Sequence, residues 1–587
     1  MCQQNENPQA PDNQIQADEK PRSRFAFVRN RLPIPTDRDG VQTFWHKNVI
    51  DWLLAIVFLT EALYVLIYYI TGPSIAFLHA DCTDSLLWSQ AMLESGQVLS
   101  EDFNYAALLP FGSPLWMVPI LRIFGYTLTA HKVSMAVFAI LFVAAAFSLF
   151  RAMKWNRAVS SLGALILSLL LSGSAKLREI MWEHVIYYSL GLLLFMLLLN
   201  LCLRLFDRMK RWAEGDRSKK NCICFCLLAA ALVLLCIGCG SDGFQVLVLS
   251  VIPVLGGCVA VAILDGKSRF LSHSVLGKVL VSLMMGVGAV VGLGLLEVLT
   301  RNGQISAGYE SAYSNWASMD QWWAHFEGFL INYLRLFGLS VNGGDPLFSL
   351  DSILAMLQLI AALIVLVCPL MLLFRYRHLK RESAKLVAWS HCFLLVILML
   401  GYICGSLSAA NWRLTPMVGS SIIATLVYLR ELLDDKELQG RMAIILTAVL
   451  LVTTVSHAAT ILKLPNDPGS NQRYITIAEV LSDQGYTKGY ATFWNANNTT
   501  LLSDSQVQVV AVDVDANGLR KSLYQNSNKW FEDEPGRNSY FLMLSESEYT
   551  QFTRSNYWKQ LNEQRELLDE IQIEGFRILV FSGNLFL

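Results

Sequence analysis

Long apolar runs separated by polar segments occupy most of the chain, and this pattern predicts a membrane protein built from helices. A helix needs about 20 apolar residues to cross a bilayer. Runs of this kind, two of them short, recur up to residue 462. The eleven predicted spans are 49–71, 129–150, 158–175, 184–203, 222–240, 244–264, 276–299, 352–374, 386–408, 414–430 and 442–462. The predicted fold class is an all-α polytopic membrane domain.

The composition strengthens this prediction. Charged residues form 16% of the chain and its mean hydropathy is +0.42, whereas soluble domains carry about 25% charged residues. The formal net charge is -1, so no nucleic-acid partner is predicted. The sequence shows neither a phosphate-binding glycine loop nor an HExxH motif, which disfavours ATP-driven transport and zinc proteolysis.

Lys and Arg are concentrated in alternate connecting segments, and this asymmetry predicts the orientation. Cytoplasmic loops are enriched in basic residues. The basic connections are "RAMKWNR", "RLFDRMKRWAEGDRSKK", "DGKSRF", "RYRHLKRESAK" and "RELLDDKELQGR". With eleven spans, the N-terminus is predicted inside the cell and the C-terminus outside. The protein is then a multi-pass protein of the cell (plasma) membrane, with large outer loops at 72–128 and 301–350.

Three regions follow from these patterns. The polar tail, 1–45, is rich in Gln, Asn and Pro and is predicted to be disordered and cytoplasmic. Residues 46–462 form the transmembrane domain. Residues 463–587 are predicted to form a small extracytoplasmic α/β domain. Its segments "VQVVAVDVD" and "FRILVFSG" have the composition of strands, and "YITIAEVLSDQG" has helical spacing.

Two carboxylates stand where the first predicted span ends. The stretch "HADCTDSLLWSQAMLESG" places Asp81 and Asp84 three residues apart, before a segment with one apolar face. These residues can be a helix cap and a solvated loop. They can also be functional, because carboxylates at a membrane face are costly unless they are used. The later stretch "FNYAALLPFGSPLWMVPILRIFG" is apolar and broken by Pro and Gly, which suits a re-entrant or interfacial hairpin lining a cavity.

The same stretch carries a resemblance. "DCTDSLLWSQAMLESG" resembles the first outer loop of the GT-C superfamily of membrane glycosyltransferases, in the bacterial branch of protein mannosyltransferase-like and aminoarabinose transferase-like enzymes. Asp81 falls on that family's catalytic aspartate, and Asp84 is a second carboxylate as in relatives with an aspartate pair. The family's Glu-Lys-Pro-Pro phrase is represented by "PFGSPLW", with Gly112 and Ser113 where Glu and Lys are expected. Glu101 and Asp102 are substitute acidic residues.

The resemblance implies a glycosyltransferase with its active site on the extracytoplasmic side. The expected donor is a polyprenyl-phosphate-linked sugar, and the acceptor is a cell-envelope glycan, lipid or protein. A carboxylate can take the proton of the acceptor hydroxyl, and direct displacement inverts the anomeric centre. Arg suits the donor phosphate, and the candidates are Arg413 in "NWRLTP" and Arg178. The alternative for Arg413 is an Arg that snorkels at the end of a span.

Each further candidate residue for binding the acceptor or the sugar also has an alternative role. His184 follows Glu183 at a helix start, where a structural role is the alternative. Aromatic side chains stack on sugar faces but also anchor proteins at membrane interfaces. The candidates, with the acidic substitutes, are Glu101, Asp102, His184, Trp322, Trp323 and Trp494.

Metal dependence and function class are left open by the residues. No cofactor is required by the sequence, although Asp81 and Asp84 can hold Mg²⁺ or Mn²⁺ against a phosphate or can act without metal. A transporter or flippase for lipid-linked sugars is an alternative function, and it usually places charges at mid-membrane. The internal acidic candidates for that role are Glu61 and Glu297. A third alternative is a non-catalytic envelope scaffold.

Overall fold

The computed structural model describes residues 38–265, 273–301, 315–341, 344, 346–434 and 438–586. Contacts divide the chain after Leu53, and the fold and the site below lie in the second unit, Leu54–Leu587. Most of the predicted tail, 1–45, lies outside the described residues, and residues 38–45 belong to the first helix.

Helices form most of the described chain up to residue 462. They are α1 (Arg38–Thr71), α2 (Asp84–Ser95), α3 (Pro114–Phe124), α4 (Leu128–Ala152), α5 (Arg157–Leu170), α6 (Ala175–Trp182), α7 (Tyr187–Ala213), α8 (Lys219–Ser241), α9 (Ile252–Asp265, preceded by the π turn Leu247–Val251), α10 (His273–Leu299), α11 (Trp322–Phe337), α12 (Leu350–Phe374), α13 (Glu382–Ile403), α14 (Thr415–Leu433) and α15 (Leu438–Leu462). Within the described ranges, ten helical segments are long and apolar enough to cross a membrane, and the count reaches eleven with the bent pair α5 and α6. The predicted polytopic helical fold is confirmed.

The predicted span 158–175 consists of two helices joined at a bend, which is the geometry of a broken span or a re-entrant loop. Helix α5 ends at Leu170, and α6 leaves it at an angle of 115°. The break falls at "SGS": a side chain on Gly173 would meet the Phe337 carbonyl oxygen at 2.8 Å. Ser174 then caps α6 by accepting a hydrogen bond from the Leu177 amide at 3.0 Å. A Ser at this position satisfies one of the free amides at a helix start, so α6 begins a new direction.

The C-terminal region contains a six-stranded mixed sheet. Its strands and helices are α16 (Gln472–Asp483), β2 (Lys488–Thr492), α17 (Phe493–Leu502), β3 (Gln508–Asp515), β4 (Gly518–Lys521), β6 (Tyr540–Ser545), α18 (Glu546–Thr553), α19 (Asn556–Gln564), β7 (Leu567–Ile573) and β8 (Phe576–Phe581). The strand order is β4-β3-β2-β6-β8-β7, with β2 parallel to β3 and to β6. The predicted α/β character of this region is confirmed.

The loop that follows α1 is joined to this C-terminal region. Strand β1 (Phe103–Asn104) pairs antiparallel with β5 (Asn526–Ser527). Next to this pair, the Trp88 indole donates to the Gln525 side-chain oxygen at 2.6 Å. Two segments more than 400 residues apart in sequence therefore pair in one two-stranded sheet.

Candidate functional site

A cavity of about 550 Å³ lies where the loop after α1, the break before α7, the start of α14 and the C-terminal region meet. Helix α2 supplies Asp84 and Trp88, and α6 supplies Lys176 and Glu179. Five of the residues singled out in the sequence line it, which are Asp81, Asp84, His184, Arg413 and Trp494. Residues from four distant parts of the chain thus share one chamber.

Asp81 lies in a one-turn helix, Ala80–Thr83, that is fixed on several sides. The Asn471 amide donates to the carbonyl oxygens of Ile75 and Leu78, both at 2.8 Å. The His131 ring nitrogen Nε2 lies 3.3 Å from the Cys82 carbonyl oxygen and 3.2 Å from that of Glu183. These contacts hold the turn against α4 and the segment before α7, so the carboxylate of Asp81 has a defined direction.

The Asp81 side chain is one-third exposed at 33%, and its environment is partly polar. Its Oδ2 atom lies 4.0 Å from the His79 Nδ1 atom. Burial, followed by the neighbouring Asp84 carboxyl, raises the pKa of Asp81 above the usual 3.8. A carboxylate with a raised pKa is a stronger base, and Asp81 is therefore suited to accept a proton.

Asp84 is in a different environment, although it is only three residues away. Its side chain is 9% exposed, and its Oδ2 atom lies 3.7 Å from His184 Nε2. Burial raises the pKa of Asp84 to about 8 and lowers that of His184 to about 4. At neutral pH the favoured state is thus a protonated carboxyl beside a neutral imidazole, because both groups lose the water that would stabilise their charges.

Cationic groups lie on another wall of the cavity. Arg413 is buried, and its guanidinium donates to the Ser406 carbonyl oxygen at 2.7 Å. The Lys176 ammonium group lies 4.7 Å from the centre of the Trp412 ring and binds both carboxylate oxygens of Glu179, at 2.6 and 2.7 Å. Glu179 in turn lies 2.9 Å from His79 Nε2. The wall therefore presents two positive side chains held by fixed neighbours.

Arg178 is buried but does not line the cavity. Its guanidinium donates to the Ser172 carbonyl oxygen at 3.0 Å and lies 5.4 Å from the centre of the Tyr69 ring. The Tyr69 hydroxyl donates to Glu183. Arg178 belongs to the packing behind the cavity, at the break between α5 and α6.

Four other candidates lie away from the cavity. Glu101 is exposed, and Asp102 forms an ion pair with Lys529 at 2.6 Å. Trp322 and Trp323 stand at the start of α11, where the Trp322 indole donates to the Ala317 carbonyl oxygen at 3.0 Å. Trp323 is 67% exposed.

Several residues of the cavity were not singled out in the sequence. His79, Lys176 and Glu179 carry a weak signal, since they lie next to predicted site residues or in the same predicted outer loop. Gln525 has none: it lines the cavity only because β5 pairs with β1. Phe493 follows directly after β2, and the carboxyl ends of parallel strands are common ligand sites.

The donor set of the cavity does not form a protein cage for a metal ion. Among the described residues, no group of three or more His, Cys, Asp and Glu side chains is placed to hold one. Asp81 and Asp84 supply two carboxyl groups, and burial favours the protonated form of the second. No chemical step is therefore assigned to a metal here.

The sequence matches no family model and no curated protein. The fold is similar to solved structures. ArnT from Cupriavidus metallidurans bound to undecaprenyl phosphate has a TM-score of 0.51 and 12% identity, covering 90% of this chain and 98% of that chain. The apo state of that protein gives a TM-score of 0.52 at 12% identity, covering 91% and 98%. The apo oligosaccharyltransferase from Archaeoglobus fulgidus gives 0.45 at 11% identity, covering 80% and 65%.

The likeness to ArnT extends over nearly the whole of both chains. The predicted resemblance is confirmed at the level of the fold: the chain has the fold of ArnT, and its apolar helices are those of a multi-pass membrane protein.

Proposed function

We propose that this protein is a glycosyltransferase that moves a sugar from a polyprenyl-phosphate donor to a cell-envelope acceptor. One observation carries the proposal: a partly exposed carboxylate, Asp81, shares a 550 Å³ cavity with the cationic side chains of Arg413 and Lys176. A base for a hydroxyl group and cations for a phosphate are the two elements that this reaction needs. The neighbour with the same fold, ArnT, has been crystallised with undecaprenyl phosphate.

Asp81 is the proposed general base. A sugar or lipid hydroxyl is a poor nucleophile, and a carboxylate within hydrogen-bond reach accepts its proton as the new bond forms. The hydroxyl oxygen forms a bond to the anomeric carbon, and the bond from that carbon to the phosphate oxygen breaks. The electron pair of the broken bond stays on the phosphate oxygen, and the configuration at the anomeric carbon is inverted.

Arg413 and Lys176 are the proposed partners of the donor phosphate. The leaving phosphate gains negative charge as the bond breaks, so fixed cations stabilise the transition state more than the ground state. Arg413 offers several donors in one plane, while Lys176 offers a compact charge. Arg178 lies behind these groups and is proposed to support the wall without touching the phosphate.

Asp84 and His184 are proposed to orient the acceptor as a neutral pair. A protonated carboxyl donates a hydrogen bond and a neutral imidazole can accept one, which suits a hydroxylated ligand. Trp494, 57% exposed at the cavity, is proposed to stack on a sugar ring. Asp102, Glu101, Trp322 and Trp323 are left outside this proposal.

The active site is proposed to face the extracytoplasmic side. The loop 72–128 pairs with the C-terminal region, which requires both to lie on one side of the membrane. The basic connections meet at the opposite ends of the helices, where Lys154 pairs with Asp207 at 2.9 Å and Arg381 with Glu431 at 3.0 Å. Because Lys and Arg are enriched on the cytoplasmic side, the cavity is assigned to the other side.

Protease added to intact spheroplasts tests this orientation. Cleavage within 463–587 is expected from outside, with a cytoplasmic protein as the intact control. Protection in spheroplasts followed by cleavage after lysis would reverse the orientation.

Release of polyprenyl phosphate tests the activity. The purified protein is incubated with a panel of polyprenyl-phosphate sugars and envelope extracts, and free polyprenyl phosphate is measured with time. Release that depends on both the sugar donor and an acceptor supports the proposal. If no donor is consumed while lipid-linked sugar crosses the membrane of reconstituted vesicles, the protein is a transporter instead.

A further inference from the structure

A second cavity, of about 300 Å³, lies beside the first and shares two of its helices. Helix α2 presents Asp84 and Trp88 to the first cavity, and it presents Leu87, Gln90 and Glu94 to the second. Within each of these two sets the residues are three or four positions apart, so each set lies on one face of the helix. One helix thus separates two chambers.

Helix α17 is shared in the same way. Its start, Phe493 and Trp494, lines the first cavity, and Asn497 and Thr500, further along, line the second. The two cavities also lie at opposite ends of strand β2, since Lys488 at its start lines the second and Phe493 follows its end. The second cavity is therefore built from the same rigid elements as the first and is a separate space.

A buried polar group without a partner lies at the second cavity. Asn497 is 5% exposed and lines the cavity, and its Nδ2 atom has no hydrogen-bond partner among the described residues. An unpaired buried amide costs about 1–3 kcal/mol. An unpaired buried polar group in a native protein needs a physical explanation, and for a residue that lines a cavity a polar ligand supplies one.

The remaining lining specifies the chemistry of that ligand. Both oxygens of Glu94 accept hydrogen bonds, from Gln90 at 2.6 Å and from the Trp530 indole at 3.0 Å, and each keeps a second lone pair for a hydroxyl group. The Trp530 ring is held edge-on against Phe103, with ring centres 5.8 Å apart. A fixed aromatic ring beside amides and carboxylates suits a sugar, which has both apolar C–H faces and hydroxyl groups.

The charges of the second cavity disfavour an anionic ligand. Its two lysines are already paired, Lys488 with Glu534 and Lys529 with Asp102. Carboxylates at Glu94, Glu532, Asp533 and Glu534 leave the lining acidic overall. A phosphate or a uronic acid would meet repulsion there, whereas a neutral or amino-bearing sugar would not.

We propose that the second cavity is a saccharide-binding subsite for a neutral or amino-bearing sugar unit, separate from the catalytic cavity. The Asn497 side chain binds one sugar hydroxyl, Glu94 accepts a hydrogen bond from another, and Trp530 packs against the ring. Because α2 and α17 form the wall between the cavities, a bound saccharide lies next to the element that carries Asp84.

Saturation-transfer NMR on the full chain in lipid nanodiscs tests this subsite without any need for catalysis. The probes are methyl glucoside, methyl galactoside, methyl mannoside, N-acetylglucosamine and glucosamine, with glucuronic acid as the anionic comparison. At least one neutral or amino sugar should receive saturation, and glucuronic acid should not. Asn497→Leu should weaken this binding about tenfold or more, as expected for the loss of one hydrogen bond in a buried site.

Matched variants separate the subsite from its surroundings. Asn498→Leu removes the neighbouring buried amide, which does not line the cavity, and should bind the sugar like the parent. If Asn497→Leu does not fold, Gln90→Ala and Glu94→Gln take its place and should weaken binding. The proposal is overturned if no neutral or amino sugar binds, or if Asn497→Leu binds the sugar like the parent.

Steady-state kinetic measurements identify the source of the saccharide, and they rest on the proposed function. If the sugar is a unit of the acceptor, Asn497→Leu should raise the KM for a saccharide-bearing acceptor with little change in kcat. If the sugar is free, the kinetics should respond to added monosaccharide in the parent and not in the variant. Failure of the transferase activity itself would leave the binding result standing, so the two proposals fail separately.

Discussion

The His184 Nε2 atom lies 3.7 Å from the Asp84 Oδ2 atom, and both side chains are buried at one wall of the larger cavity. This pair differs from an ordinary ion pair, because burial favours the protonated carboxyl and the neutral imidazole. Asp81, three residues earlier, remains partly exposed and ionisable. Two aspartates that look equivalent in the sequence therefore lie in different environments: burial raises the pKa of both, and it raises that of the more buried Asp84 to about 8.

Asp84 should make the protein less stable as the pH rises. A carboxyl group whose pKa is raised by folding, here from 3.8 to about 8, stabilises the fold fully below 3.8 and loses that contribution as the pH rises through about 8. Asp84→Asn mimics the neutral acid, so its melting temperature in detergent should fall less than that of the parent over this range. Thermal melts at a series of pH values measure the difference.

The Asp84→Asn comparison has a built-in control. The pKa of His184 is lowered to about 4, so its contribution to stability is lost as the pH falls from 6.5 towards 4. Both the parent and Asp84→Asn contain His184, so this loss is the same in the two proteins. The two melting curves should converge at low pH. Parallel curves over the whole range would mean that Asp84 is ionised in the folded protein.

Asp81→Asn should lose turnover while it still binds the donor. Asn has nearly the size of Asp but cannot take a proton, and removal of a general base costs about 10²–10⁴-fold in rate. Initial rates of polyprenyl phosphate release measure the loss, and donor binding is measured separately. Glu101→Gln, an exposed carboxylate of the same loop, is the matched control and should keep the parent's rate. Unchanged turnover in Asp81→Asn would mean that Asp81 has only a structural role in its turn.

Arg413→Ala should weaken donor binding. A hydrogen bond to a charged group contributes about 1.5–3 kcal/mol, so the Kd for the donor should rise about 10–100-fold. Arg413→Lys should recover part of the affinity, because it restores the charge without the planar fork. Binding of a labelled polyprenyl-phosphate sugar gives the Kd. Arg122→Ala, at an exposed Arg of α3, controls for general charge, and an equal effect of both variants would contradict the assignment.

Trp88→Phe should destabilise the contact between α2 and the C-terminal region. The change keeps an aromatic ring but removes the 2.6 Å hydrogen bond to Gln525. Among the described residues, the Gln525 side-chain oxygen would then accept a hydrogen bond only from the Ala106 amide, at 3.3 Å. Loss of a bond between uncharged groups costs about 0.5–1.5 kcal/mol. Limited proteolysis should cut the 463–587 region sooner, whereas Trp558→Phe, remote from the interface, should leave that rate unchanged.

The helical membrane domain could be predicted from the sequence because its signal is local. Each span is a continuous apolar run, and the predicted ends agree with the helices within a few residues at most positions. The break between α5 and α6 was missed, because the apolar run continues up to it and the turn depends on the close approach of Gly173 to Phe337. That contact joins parts of the chain that no local pattern relates.

The site was predictable only in part, for the same reason. Asp81, Asp84 and Arg413 stand out because charge is rare near the ends of apolar spans. Lys176 looked like one more basic residue of a loop, and its place at the cavity depends on the 115° bend. Glu101 and Asp102 are the substitutes for the acidic residue of the family's Glu-Lys-Pro-Pro phrase, and neither lines the cavity: Glu101 is exposed and Asp102 pairs with Lys529.

The pairing of β1 with β5 also has a consequence for biosynthesis. The turn that carries Asp81 leaves the ribosome more than 400 residues before Gln525 and Asn526 are made. Until they arrive, β1 has no neighbouring strand and the Trp88 indole has no acceptor. Contacts over such long separations form late and slowly. A nascent chain therefore carries Asp81 in an open chamber until the segment around β5 has been made and has paired with β1.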